Sequence, residues 1–264
     1  MLISKIIPPD SGLYKRFSDL AKSLDVFMED YRPLDWFWIW TMFVAGMSTH
    51  GGYVDRYLFW EFTPWHIGIL SLIVVTYIMA VFILKRGILK KTLTVKEIGS
   101  YSIFGLAVFL LGWGSKPLAG LKYSIPYIAY FIAVMFVFIV PLSKDEKSGE
   151  VTIASKPKKR LYVFISLLLT VVATVIGYFF DDPVSSTASV VYLPFLLVAL
   201  VTTHVRHIQR ARIFSIFIMA MFVSAREAWF LVPLVILFYA LRFYYYFRHQ
   251  IVYPTFSVHM DEEQ

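Results

Sequence analysis

Cysteine is absent from all 264 residues, which removes disulfides, thiolate metal sites, a cysteine nucleophile and thioether-linked haem together. Charge is also scarce, at 16% of residues, and acidic residues (18) are outnumbered by basic ones (25). No glycine-rich loop runs into Lys-Ser or Lys-Thr, and neither a Gly-x-Ser-x-Gly elbow nor a His-Glu-x-x-His pair occurs. P-loop, hydrolase and zinc-helix chemistries therefore lack their carriers. The long apolar runs hold no acid near mid-span, which disfavours ion-coupled transport, and no facing histidine pair that would hold haem.

What is present instead is hydrocarbon. Hydrophobic residues make up 58% of the chain and aromatics 18%, and the mean hydropathy is +0.66. That is more apolar surface than one soluble core of this length could bury, so the bilayer is the solvent. Spanning a bilayer takes roughly 20 apolar residues. The sequence predicts an all-α polytopic transmembrane helical bundle of about eight spans, seven to nine allowed, at 35–49, 64–84, 98–114, 124–142, 161–180, 189–203, 213–224 and 228–247. Residues 1–264 read as a single integral membrane domain, with 144–160 as a loop. Residues 14–30, with Phe17, Leu20, Leu24, Val26 and Phe27 set among charges, predict an amphipathic helix on the membrane surface. The opening stretch, broken by Pro8, Pro9 and Asp10, does not read as a secretory signal.

Loop charges set the expected orientation. "LKRGILKK", "SKPKKR", "HVRHIQRAR" and "RHQ" follow the second, fourth, sixth and eighth runs, and Lys15, Arg16, Lys22 and Arg32 precede the first. Basic residues recur on one side, which is read as cytoplasmic, with both termini there. The net charge of +7 thus falls at helix ends, where it anchors to anionic headgroups rather than to nucleic acid. Between the last two runs, Arg226 and Glu227 read as a tight exposed turn, or as a buried pair if those runs form one bent re-entrant hairpin.

Three stretches carry a family resemblance. "YRPLDWFWIWTMFVAGM" (31–47) resembles the opening of helix one in the intramembrane prenyltransferase (UbiA-type) superfamily, with Arg-Pro, aromatics and a closing Ala-Gly. "KRGILKKTLTVKEIGSYSIFGLAVFLLG" (85–112) is similar to that family's passage from helix two into helix three, and "TTHVRHIQRARIF" (202–214) falls where its second polar motif lies. The resemblance implies a helical bundle around a lipid cavity, in which aspartate-rich motifs ending helices two and six hold magnesium and, through it, a polyprenyl diphosphate. Magnesium needs hard oxygen ligands, yet "AVFILKRGILKK" and "VTTHVRHIQRAR" contain no carboxylate. No catalytic residue of the family transfers, Mg2+ is disfavoured, and no cofactor is expected.

Cations can hold phosphate directly, arginine by a bidentate fork and lysine as a point charge. The candidate lipid-phosphate residues are Lys85, Arg86, Lys90, Lys91, His204, Arg206, His207, Arg210, Arg212 and the more deeply placed Arg242. They converge if the ends of the second and sixth runs meet in one vestibule; otherwise each cluster only snorkels to headgroups. Trp36, Trp38, Trp40, Tyr77 or Tyr244 would wall the cavity. Gly105, Gly112 and Gly114 mark close helix approach in the third run.

A weaker alternative is a metal set of His50, Asp55, Glu61 and His66 in "THGGYVDRYLFWEFTPWH". Its tail is similar to a stretch in membrane-bound ammonia and methane monooxygenase subunits, although Tyr53 stands where that family has a histidine. The expectation is a divergent UbiA-like protein that binds a polyprenyl (diphosphate) or other long-chain anionic lipid, with catalysis uncertain. The alternative is a non-catalytic membrane subunit or scaffold among other membrane subunits. Membrane lipids are expected partners; nucleic acid is not.

Overall fold

Inside hydrocarbon each backbone N–H and C=O has to find its partner within its own segment, so apolar runs of this length close into helices. The computed structural model describes residues 2–50, 65–85, 93–114, 117–144 and 151–250. In chain order the helices are α1 (Leu2–Ile6), α2 (Gly12–Ser23), α3 (Asp25–Tyr31), α4 (Trp36–His50), α5 (Trp65–Ile78), α6 (Ile98–Trp113), α7 (Pro117–Phe138), α8 (Lys156–Phe179), α9 (Pro183–Val201), α10 (Val205–Arg226) and α11 (Leu231–His249). A π-helical turn, Met79–Leu84, prolongs α5. The only sheet among the described residues is an antiparallel hairpin of β1 (Leu142–Lys144) and β2 (Val151–Ile153), with Leu142 paired to Ile153.

Seven helices, α5 to α11 with their flanking turns, are long and apolar enough to cross a membrane, which makes this an all-α polytopic bundle. The eighth run is α4, whose fifteen residues rise about 22 Å, short of the roughly 30 Å hydrocarbon core. Eleven of those fifteen are buried, so α4 is a central helix wrapped by protein. It packs on α6, α7 and α10, while α7, α8, α9 and α10 pack as antiparallel neighbours. α5 lies at the edge, joined to α4 by Trp40 Nε1 donating to Thr76 Oγ1 at 2.8 Å.

Helix boundaries differ from the sequence expectation where charge follows an apolar run or precedes it. α8 starts at Lys156, inside the expected 144–160 loop, and α10 starts at Val205, so the basic run "VRHIQRAR" is helix rather than connection. Charged residues at headgroup depth do not oppose helix, since only the hydrocarbon core demands apolar side chains. The expected 14–30 helix is two helices broken at Leu24. On α2, Tyr14 and Ala21 are buried, whereas Leu13, Phe17, Leu20 and Leu24 form an exposed apolar stripe.

α4 and α6 meet backbone to backbone. A methyl added at Gly46 would strike the Phe109 carbonyl, and one at Gly112 would strike the Phe43 carbonyl, a reciprocal small-residue crossing that packs without a hydrophobic drive. Gly105 receives the Phe131 ring, whereas Gly114, at φ +80°, ends the helix.

The bundle's two ends differ. At one, which we call the strap end, Tyr14 Oη donates to the carbonyls of Tyr246 (3.1 Å) and Phe247 (3.2 Å), and Asp25 accepts from Tyr244 Oη (2.8 Å) and Arg248 Nε (2.9 Å). At the other, Asp182 caps α9 by accepting from the Val184 (3.0 Å) and Ser185 (3.4 Å) amides and pairs with Arg226 at 3.2 Å. The turn expected to be exposed is therefore packed: Ala228, Trp229 and Phe230 are buried, and Glu227 accepts from Trp229 Nε1 at 2.7 Å.

Gly112→Val is expected to destabilise the bundle by at least the ~1–3 kcal/mol typical of overpacking, seen as a lower melting temperature in detergent. Gly99→Val, at a glycine with open space around it, is the control and is expected to melt near wild type.

Candidate functional site

The strap end collects the end of α9 and the starts of α8 and α10. Chain direction reverses there through Thr202, Thr203 and His204. His204 caps α10, its Nδ1 accepting from the Arg206 amide at 3.3 Å, a role that requires that nitrogen to be unprotonated. The His204 and His207 rings lie 6.4 Å apart. Arg206 and Arg210, four residues apart and so on one helical face, are both exposed, and His207 beside them is half-buried. The opposite face, Ile208, Gln209, Ala211 and Arg212, is buried.

Arg212 is placed differently from its neighbours. It is only 2% exposed, donating from Nε to the Val137 carbonyl (3.2 Å) and from Nη2 to those of Phe138 (2.9 Å) and Val140 (2.8 Å). Grouped with surface cations by sequence, it instead closes the C-terminal end of α7, whose last carbonyls have no intrahelical donor. A cation at a helix C-terminus also meets the negative end of the dipole. Lys159 does the same for α9. It is 3% exposed and donates to the Leu200 (2.9 Å) and Thr202 (2.6 Å) carbonyls.

Of the remaining sequence candidates, Lys85 and Arg242 are described. Lys85 is exposed, its Nζ 5.8 Å from the centre of the Tyr31 ring on α3; Arg86, Lys90 and Lys91 lie outside the described residues. The π turn ending α5 packs against α3, whereas α9 packs on α7, α8 and α10, so the described ends of the second and sixth crossings reach different neighbours. Arg242 is buried on the inward stripe of α11 with Leu234, Leu237 and Leu241. The aromatics do not form one wall. Trp36 and Trp40 lie together at 5.8 Å, Trp38 stacks on Phe131 at 5.0 Å, Tyr77 is exposed, and Tyr244 is bonded to Asp25.

For the alternative metal set, Asp55 and Glu61 fall outside the described residues. His50 packs edge-on to Trp113 at 5.1 Å and His66 adjoins Trp65 at 5.9 Å. Among the described residues no group of three or more His, Asp or Glu could hold a metal. The described end of α5 (80–85) and the α9–α10 corner (201–212) carry no carboxylate, so their side chains do not fit the magnesium that the family resemblance implies.

Lys159 and Arg160 escaped the sequence reading, which treated "SKPKKR" as an anchor. The missed signal was spacing: Lys159 stands in register with Val163, Ser166 and Thr170, all buried on α8, and so belongs to an inward face. No family model matches the chain, and no curated protein or solved structure does so either.

Arg212→Met leaves buried carbonyls without a donor, at about 1–3 kcal/mol each. Thermal unfolding in detergent is expected to show a large drop for Arg212→Met, a partial rescue by Arg212→Lys, and a change within ~0.5 kcal/mol for the exposed Arg206→Ala.

Proposed function

We propose that this chain is a membrane-embedded, prenyltransferase-like protein that binds a long-chain lipid by its phosphate end at the α9–α10 corner. The observation that carries the reading is the pairing of exposed Arg206 and Arg210 on the first turns of α10, in a stretch that holds no acidic residue between Pro183 and Arg226. The positive end of the helix dipole favours an anion there, and two guanidinium forks match phosphate oxygens. The basic surplus supports reading this end, with both termini, as cytoplasmic. In an active form the same cations would stabilise a departing diphosphate by charge alone, without a metal.

A second reading is a non-catalytic membrane subunit. It is favoured by Arg212 and Lys159, whose charges are spent on helix ends and serve assembly.

Radiolabelled polyprenyl diphosphate separates these readings. Wild type is expected to bind it equally with and without EDTA, and Arg206→Ala and Arg210→Ala each to weaken binding about tenfold or more. Magnesium-dependent transfer would overturn the metal-free reading, and unchanged binding by both variants would overturn the site. No binding by wild type would leave the subunit reading.

A further inference from the structure

We infer that the depression between the start of α8 and the end of α9 is a lateral binding groove for a phospholipid of net negative charge, with Arg160 at its polar end. The inference deepens the proposed function and rests on that reading for the class of ligand, but it names a different set of residues.

The groove measures about 580 Å3 and is lined by Arg160, Leu161, Phe164, Leu200 and Val201. It is a shallow depression, open to the surface. Its walls come from two helices fastened at this level by Lys159, one residue from Arg160, through the Leu200 and Thr202 carbonyls. Arg160, Leu161, Phe164 and Val201 are all exposed. Arg160 lies in the first turns of α8, where the span enters the headgroup layer, and the other four liners are apolar. Leu200 and Val201 stand level with Arg160, because the neighbouring Lys159 bonds the Leu200 and Thr202 carbonyls, and Phe164 lies about one turn further along α8, so the cation borders an apolar surface.

Charge supplies a second, independent argument. Cations are favourable at helix C-termini and unfavourable at N-termini. This corner nevertheless places Lys156, Lys158 and Arg160 on the first turns of α8, and Arg206 and Arg210 on those of α10. α8 and α10 carry no acidic residue of their own, while Asp145, Glu146 and Glu150 stand in the connection before β2, outside the described residues. Two helix starts loaded with like charge favour an anion, and a lipid phosphate over Arg160 supplies one beside Leu161, Phe164, Leu200 and Val201. Headgroup anchoring alone would account for the cations but not for an apolar trough beside one of them.

The test uses the full chain in a neutral detergent, with native mass spectrometry and thermal unfolding, and phosphatidylglycerol, phosphatidylcholine of the same acyl chains, or inorganic phosphate as probes. Phosphatidylglycerol is expected to stay bound and raise the melting temperature, and the other two are not. Arg160→Gln is expected to weaken its retention about tenfold. Val201→Trp, at a position 77% exposed and so tolerant of bulk, is expected to block retention without changing the melting of lipid-free protein. Equal retention of the two lipids, equal stabilisation by inorganic phosphate, or wild-type retention by both groove variants would overturn the inference. Loss in Arg206→Ala/Arg210→Ala alone would leave the α10 corner standing and remove the groove. Loss in Arg160→Gln and Val201→Trp alone would do the reverse.

Discussion

A helix that ends near hydrocarbon leaves its last carbonyls with neither an intrahelical donor nor water, and the strap end is organised around meeting that demand. Arg212 meets it for α7 and Lys159 for α9, each from a different helix, so one contact both closes a helix and fixes its neighbour. With α10 held to α7 and α8 held to α9, the hairpin of β1 and β2 joins the two pairs, its base closed by the Ala154 amide donating to the Pro141 carbonyl. At the far end Asp182 answers the mirror problem, supplying an acceptor to the amides that open α9 while Arg226 balances its charge. Removing either partner of such a buried pair costs more than the pair's net worth, because a desolvated charge is left behind.

This division of labour decides what the basic residues can do. A guanidinium already shared among three carbonyls has little left for a ligand, while the outward-facing cations one turn away on the same helix are open to one. Neighbours in sequence, such as Arg210 and Arg212 or Lys159 and Arg160, therefore have opposite roles. The helical period turns one inward and the next outward.

Hydropathy was enough to place all eight helices, because the need to satisfy the backbone in lipid leaves few other structures for such runs. It placed their ends poorly. Runs were cut at charge, yet α8 and α10 continue through "KPKKR" and "VRHIQRAR", where the surrounding medium is already polar. The depth of α4 was hidden for a related reason: a helix facing protein on all sides and one facing lipid are equally apolar, and only the glycines at 46 and 112 hinted at which it was. For the candidate site, residue type identified cations and the missing carboxylates, but burial of Arg212, Arg242 and Lys159 depends on which helix lies opposite, and a single sequence does not carry that. The strap was legible as amphipathic from its period. Its break at Leu24, and the clasp of Asp25 on Tyr244 and Arg248, depend on contacts across more than two hundred residues.

The glycine seam between α4 and α6 has a bearing on biogenesis. α4 is made well before α6, so the helix with the least surface suited to lipid spends part of its life without the partner that covers it. Its hydroxyls are already provided for: Thr41 donates to Phe37, and Ser48 and Thr49 to Ala45, all within the same helix. α4 therefore waits in the bilayer with those hydroxyls satisfied, Trp40 Nε1 gains Thr76 when α5 follows, and the arrival of α6 completes the fit.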